Sequence, residues 1–295
     1  PRLRDEQWRA ITMATAVVGD LASSAASDLM PSEGKPPMLR LVPLLPHNWT
    51  IDQRRAAGAW FSHTAVQFGW PQDYIELVDE KAETAPTAIL SGLASRAVSG
   101  APVAALIVAC ASNIGNETVA QWSANGALFT PLHPQGMIPG EGAAGLLLTD
   151  LQQARALGEV VFTLLYPLAE SRRDVSADDT RRMDSTLLAE LAERALASGD
   201  ASLPDVAMLV ADTGHRSGRV LELMGFASGA MPQLDGAADV VRAGAAGGAC
   251  DSVPFLTALA LGRHHALEHA APVLCISNED PYQRCAVLIR PYASA

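Results

Sequence analysis

The sequence predicts an α/β protein in which helices cover a sheet, organised as two similar halves. Apolar residues make up 49% of its 295 residues and charged residues 18%, so a large core can be buried. Short apolar runs rich in β-branched residues alternate with longer amphipathic segments, as in sheets covered by helices. The tripeptide Ala-Pro-Val occurs at 101–103 and at 271–273, each time between a predicted helix and a predicted strand. We therefore predict an N-terminal half over 1–155 and a C-terminal half over 156–295.

Helix start and stop signals define the elements of the first half. Thr50 is a suitable N-cap for one helix, and Thr84, followed by Pro86, is suitable for another. Gly100 supplies the C-terminal stop of that second helix. The predicted elements are helices over 5–27, 51–69 and 84–100 and buried strands over 38–45, 103–110 and 145–148.

The second half shows the same alternation of helices and strands. The polar segment 169–184 is predicted to be a surface loop, because it is rich in charged residues and lacks periodicity. The last two strands are separated by a short polar turn and are predicted to form a hairpin. The predicted elements are helices over 186–197 and 252–269 and strands over 207–210, 273–277 and 285–289.

Charge and cysteine content exclude several classes of protein. The net charge is −11 and no long basic run occurs, which disfavours binding to nucleic acid or to an anionic membrane surface. No signal peptide is recognisable, and no continuous apolar run reaches the roughly 18 residues that span a bilayer. The four cysteines form no Cys-x-x-Cys pair, so we interpret them as buried free thiols in a reducing compartment. We expect a cytoplasmic protein with no cofactor and no metal.

The most informative segment runs from Leu106 to Asp150. An apolar strand is followed by a polar, partly helical stretch and then by PQGMIPGEGAAGLLL, in which glycines flank Glu141 directly before the next strand. Glycines at such a turn indicate a close approach of the backbone to a neighbouring segment. This segment resembles the thiolase-like superfamily and, within it, the β-ketoacyl synthases. The resemblance implies a duplicated fold of five αβαβα layers and extends over about 38–291.

The resemblance also implies which positions would carry chemistry. Members of this family use a cysteine at a helix N-terminus, where the helix dipole lowers its pKa, together with two histidines and a lysine. In this chain Glu83 occupies the nucleophile position, Thr213 and Ala245 occupy the two histidine positions, and Val240 occupies the lysine position. The glycine frame around Ala245 is retained, whereas all of these catalytic groups are replaced.

Several residues remain as alternatives. Cys110 lies in an Ala-Cys-Ala-Ser sequence that resembles the family's nucleophile motif, but it is only about 30 residues before the Gly-Glu-Gly turn. His215 could serve as a catalytic histidine if the alignment slips by two residues. Glu83 could imitate the glutamine of malonyl-decarboxylating relatives only if burial keeps it protonated. Asp251, His215 and Glu141 could form a hydrolytic or metal site, although their spacing does not require one.

A group of histidines near the end of the last predicted helix suggests metal ligands. His264, His265 and His269 lie within six residues of one another. We interpret them as solvated or helix-capping residues, because histidine is favourable near a helix C-terminus.

The coordinated replacement of the catalytic groups predicts a catalytically inactive β-ketoacyl synthase-like protein that acts as a scaffold or adaptor. The resemblance implies a homo- or heterodimer formed through a sheet-edge strand, and an acyl carrier protein as a further partner. The alternative is an active acyl-thioester enzyme, either a synthase using Cys110 or a malonyl decarboxylase using Glu83.

Overall fold

The chain folds into two compact units in the computed structural model. The described residues are 2–31, 34–78, 85–156, 161–178 and 184–293. The first unit comprises 1–119, 140–159 and 250–256, and the second comprises 120–139, 160–249 and 257–295. Predicted residues Glu83 and Thr84 lie outside the described residues.

The first unit is built on a four-stranded sheet. Its strands are Leu39–Leu44 (β1), Ile75–Leu77 (β2), Ala104–Ser112 (β3) and Glu141–Thr149 (β4), in the spatial order β2-β1-β3-β4. β1 is parallel to both of its neighbours, and β4 is antiparallel to β3. Every residue of β3 is buried, as its uninterrupted apolar run predicts.

The predicted helices over 5–27, 51–69 and 84–100 are all present, with ends that differ by two residues where they differ. The helices of this unit are Asp5–Leu29 (α1), Ile51–Gln67 (α2), Pro86–Val98 (α3), Leu151–Ala156 (α5) and the start of Asn116–Ala124 (α4). The Thr50 hydroxyl accepts the amide of Gln53, which confirms the predicted N-cap of α2. α3 has Ala85 as its N-cap residue rather than the predicted Thr84. Gly100 follows α3 in the left-handed region at φ 76°, which is the conformation that favours glycine.

Helix α1 is long and apolar, and it packs as a core helix. Among the described residues it alone has the length and composition that a membrane span requires. Its residues Ala10, Ala14, Val18 and Ala22 are completely buried and belong to the core of the first unit. Their spacing of four places them on one helical face, as expected for a helix packed on a sheet.

The second unit contains a six-stranded sheet. Its strands are Val161–Leu165 (β5), Ala169–Arg172 (β6), Met208–Ala211 (β7), Val240–Arg242 (β8), Val273–Ser277 (β9) and Gln283–Ala293 (β10). The order is β5-β10-β9-β7-β8, with β6 also pairing with β10. β7 is parallel to β8 and β9, and β9 and β10 form the predicted antiparallel hairpin.

Four helices complete the description of this part of the chain. They are Thr186–Ala197 (α6), Ser217–Ala230 (α7), Ala243–Gly247 (α8) and Val253–His269 (α9). α6 and β9 have the predicted bounds, whereas the predicted surface loop begins with a strand, β6. β6 forms because its backbone pairs with β10, although Glu170 and Arg172 are exposed. Both Ala-Pro-Val tripeptides connect a helix to a buried strand, α3 to β3 and α9 to β9.

Candidate functional site

Cys110 lies inside the central strand of the first unit and is 1% exposed. Burial, reinforced by the negative charge of Asp251, raises the pKa of its thiol to about 12. A cysteine nucleophile requires the opposite environment, in which a helix N-terminus or a cation stabilises the thiolate. The position of Cys110 within β3 therefore gives it the environment of a packing residue.

The carboxyl end of β3 carries a polar contact with the glycine-flanked glutamate. Ser112 donates its hydroxyl to a Glu141 carboxylate oxygen at 3.0 Å, and the Arg9 Nε donates to the same carboxylate at 2.8 Å. A second bond from the Arg9 guanidinium makes this a two-point ion pair. The Arg9 hydrogen bond holds the pKa of Glu141 below its usual range, against an opposing effect of burial. Glu141 is therefore a paired, ionised side chain and not a free general base.

Asp251 forms a second polar group in the first unit. Its carboxylate accepts a long hydrogen bond from Asn113 at 3.5 Å and lies 3.6 Å from the ring Nδ1 of His47. The backbone of Asp251 is left-handed at φ 53°, which a short polar side chain tolerates better than most. His47 is largely exposed, with 77% of its side chain accessible. This pair lacks the nucleophile that hydrolytic chemistry requires.

In the second unit, a polar cluster forms where the parallel strands β7 and β9 end. Asp212 follows β7 and accepts hydrogen bonds from the Ser277 hydroxyl at 2.5 Å and from the amides of Asn278 and Glu279 at 2.9 and 3.2 Å. Burial raises the pKa of Asp212 to about 6, although these hydrogen bonds favour the charged form. The carboxylate therefore joins the two strand ends to each other.

Thr213 and Ala245, which were predicted to stand at the histidine positions, have side chains that carry no acid–base group. Thr213 is completely buried, and its hydroxyl donates to the Asn278 side-chain oxygen at 2.5 Å. Ala245 lies on the exposed side of the short helix α8. The preceding Gly244 packs so closely that a Cβ would lie 2.1 Å from the Asp212 carbonyl oxygen. The retained glycine thus has a packing role.

His215 and Val240, the other two predicted site residues of this unit, are held by contacts with neighbouring residues. His215 Nε2 donates to the carbonyl of Gly136 at 2.7 Å, and its ring packs edge-on against Phe129 with centroids 5.4 Å apart. Val240 is a buried residue of β8. The structure thus brings Thr213, Val240, Ala245 and His215 into one unit, while Cys110 belongs to the other.

A buried ion network adjoins this cluster, and it was not predicted from the sequence. Glu222 of α7 and Arg284 of β10 are both completely buried and are joined through the Arg284 Nε at 2.9 Å. Glu222 also accepts from Arg173 at 2.9 Å and from the Asn278 amide at 3.3 Å. Arg219 extends the network through a 2.8 Å contact with Asp178. One sequence feature could have indicated this pair: Glu222 and Arg284 each stand within an apolar segment, and a buried charge requires a partner.

Comparison with solved structures places the chain among ketosynthases by fold. A complex of a type II polyketide synthase acyl-carrier protein with its ketosynthase bound to the hexaketide (AntDE:AntF) matches with a TM-score of 0.63, 13% identity, and coverage of 94% of this chain and 84% of that chain. A β-ketoacyl synthase from Burkholderia phymatum STM815 matches with a TM-score of 0.60, 12% identity, and coverage of 96% and 82%.

Modular ketosynthases match as well but are longer. The ketosynthase from module 1 of the bacillaene synthase of Bacillus amyloliquefaciens FZB42 has a TM-score of 0.64 and 12% identity, and the match covers 99% of this chain but 60% of that one. No family model and no curated protein matches the sequence. The chain therefore has the thiolase-like fold of ketosynthases, which confirms the predicted fold class.

Proposed function

We propose that this chain is a catalytically inactive ketosynthase-like protein that acts in the cytoplasm by binding another protein. The observation that carries the proposal is the burial of every thiol. All four cysteines of the chain lie among the described residues and are buried. Burial raises the pKa of Cys110, Cys250 and Cys275 to about 12 and raises that of Cys285 as well. None of them is suited to attack a thioester.

The second half of the catalytic machinery supports the same proposal. At the histidine positions Thr213 is bonded to Asn278, and Ala245 carries only a methyl group. The polar groups that do surround β7 and β9 are already hydrogen-bonded to one another, as Asp212 is to Ser277 and Asn278. Such groups stabilise the fold and leave no acid–base pair of the ketosynthase type in the described second unit.

An open sheet edge supports binding as the activity. β4 pairs only with β3 among the described residues, so one side of this nine-residue strand has backbone groups available for another chain. A second copy or a related ketosynthase-like chain could extend the sheet there. An acyl carrier protein is a further candidate partner, because one matched solved structure is a ketosynthase complexed with such a protein.

Intact-mass analysis after incubation with malonyl- and acyl-loaded carrier protein tests the absence of chemistry. We expect no acyl adduct, no adduct with the thiol-reactive acyl mimic cerulenin and no release of CO₂. Cys110→Ala is the matched control for an adduct, and Glu83→Ala is the matched control for decarboxylation. An adduct that disappears in Cys110→Ala, or CO₂ release that disappears in Glu83→Ala, would establish the active-enzyme alternative.

Light scattering coupled to size exclusion tests the binding role. We expect a mass corresponding to a dimer, or a monomer that shifts on addition of a ketosynthase-like partner or a carrier protein. A protein that remains monomeric with each of these partners would contradict the adaptor role.

A further inference from the structure

The C-terminal end of helix α9 carries a compact group of potential metal ligands. Glu268 lies 3.7 Å from His264 Nε2 and 3.2 Å from His265 Nδ1, measured to the same carboxylate oxygen, Oε2. One ligand atom from each of these three residues lies within 4.8 Å of the others. All three belong to the second unit. The grouping is independent of the positions that correspond to ketosynthase chemistry.

Helix geometry explains why these side chains converge. At 3.6 residues per turn, positions 264, 265 and 268 fall within an arc of about 100° on the helix surface. The opposite face is buried: Leu259 and Ala266 are 1% and 0% exposed. Between the two faces, a Cβ at Gly262 would lie 2.5 Å from the sulfur of Cys275. Packing on the sheet therefore fixes the helix so that the histidine face points to solvent.

The ligand distances agree with the requirements of a small divalent ion. Zn²⁺ binds imidazole nitrogen at about 2.0–2.1 Å and carboxylate oxygen at about 2.0–2.2 Å, so tetrahedral ligands lie roughly 3.3 Å apart. The observed separations of 3.2 and 3.7 Å from Glu268 are close to this value. His265 is only 18% exposed in its side chain, whereas His264 and Glu268 are more accessible. Packing thus restricts the His265 side chain, whereas the side chains of His264 and Glu268 have room to adjust to a bound ion.

We propose that His264, His265 and Glu268 form a surface site for a divalent ion of the zinc class. Imidazole and carboxylate together suit Zn²⁺ better than Mg²⁺, which prefers oxygen ligands and retains its water. Three protein ligands leave a fourth coordination position, which solvent fills on this exposed face. The sequence alone favoured a solvated group, because residue spacing does not reveal that one carboxylate oxygen faces both imidazoles.

His269 provides an internal test of the ligand set. It follows His265 by one helical turn, and the two rings are stacked with centroids 6.0 Å apart. His269 does not belong to the group whose ligand atoms converge. The proposal therefore predicts that this neighbouring histidine is dispensable for binding.

Equilibrium dialysis of the tag-free full chain against Zn²⁺, followed by elemental analysis, measures the site directly. We expect one bound equivalent. We expect His264→Ala, His265→Ala and Glu268→Gln each to lower the affinity by more than the roughly 10- to 100-fold that loss of an outer ligand partner costs. His269→Ala and His63→Ala, which remove exposed imidazoles outside the group, should retain the wild-type affinity. The zinc-dependent rise in the midpoint of thermal unfolding should disappear in the same three variants.

Two outcomes would overturn the proposal. The first is a wild-type protein that holds no more Zn²⁺ than the double variant His264→Ala/His265→Ala. This comparison also detects zinc that is bound at another place, because an ion bound at a cysteine would remain in the double variant. The second is a loss in His269→Ala as large as that in His265→Ala. Because each variant is compared with and without zinc, an effect of histidine on the helix terminus itself cancels from the comparison.

Discussion

An arginine–glutamate ion pair of the first unit and one of the second unit lie in opposite environments. In the first unit, Arg9 and Glu141 form an ion pair that is accessible to solvent, with 52% and 25% of their side chains exposed. In the second unit, Glu222 and Arg284 form an ion pair that is completely inaccessible. The same pair of residue types thus occurs in water and in the core. The buried pair of the second unit therefore contributes to the stability of the fold, whereas the exposed pair of the first unit is screened by solvent.

The largest expected effect comes from breaking the buried pair. Glu222→Gln removes the charge that compensates Arg284, and a buried uncompensated charge costs about 3–5 kcal/mol of unfolding free energy. Urea denaturation measures this loss. Glu76→Gln is the matched control, because Glu76 pairs with Arg40 at 2.8 Å on the surface, where loss of a partner costs about 0–1 kcal/mol. Equal losses in the two variants would show that burial does not distinguish the pairs.

The next prediction concerns the glycine frame beside Ala245. A Cβ at Gly244 would lie 2.1 Å from the Asp212 carbonyl oxygen and 3.0 Å from the Gly214 nitrogen. Gly244→Ala must therefore displace backbone, at a cost of about 1–3 kcal/mol. Gly92→Ala is the control: nothing lies within 4 Å of that position in α3, so alanine should stabilise the protein by about 0.4–1 kcal/mol. Urea midpoints of the two variants should shift in opposite directions.

The third prediction tests Asp212 through pH. Its folded pKa of about 6 lies above the ordinary 3.8, so the folded state binds the extra proton between these values. Stability then falls as pH rises from about 4 to 6, and the cost remains at higher pH. Asp212→Asn keeps an acceptor for the two backbone amides and removes this cost, so we expect a gain on the order of 1–3 kcal/mol at pH 8.

Denaturation at pH 4.5 and pH 8 checks this third prediction. The gain should be larger at pH 8, and the exposed aspartate variant Asp174→Asn should show no comparable difference. A variant that is less stable than wild type at both pH values would mean that the negative charge on Asp212 is itself required by the cluster.

Local patterns in the sequence predicted many of the helices and strands but not the buried Glu222–Arg284 ion pair. α6 and β9 were predicted with the observed bounds, because helix periodicity and an apolar strand run are both visible within a dozen residues. β6 was predicted as loop, since its charged, exposed residues are strand only through pairing with β10. Glu222 and Arg284 are separated by 62 positions. The packing of α7 on the sheet that contains β10 brings them together, so no spacing in the sequence predicted the pair.

For the candidate site, too, some features were predicted from the sequence and others were not. The assignment of Ala245 to a histidine position rested on the retained glycine frame, whereas that of Thr213 rested on the turn after β7, and both stay predictions. Burial of Cys110 was predicted together with that of the other cysteines and is confirmed. The Thr213–Asn278 hydrogen bond was not predicted, because it depends on which strands become neighbours. An Ala-Cys-Ala-Ser sequence has the same letters in a central strand as at a reactive helix terminus, and only tertiary packing separates the two environments.

The smallest expected effect is the loss of the exposed pair in the first unit. Arg9→Gln removes the guanidinium that lowers the pKa of Glu141, but solvent screens the interaction, so the loss of stability should be small. It should shrink further in 1 M salt, where charges are screened within about 3 Å. The stabilisation is present above the ordinary carboxyl pKa and disappears as pH falls through the lowered pKa of Glu141.

Urea denaturation over a series of salt concentrations and pH values checks this expectation. Arg55→Gln is the control for net charge. Arg55 is an exposed arginine of α2, so its removal changes the overall charge equally without touching Glu141. A loss for Arg9→Gln that is small and sensitive to salt would leave Glu141 free to contribute to partner binding at little cost in stability. A loss as large as that of Glu222→Gln, and insensitive to salt, would mean that the first unit also depends on its polar strand end for folding.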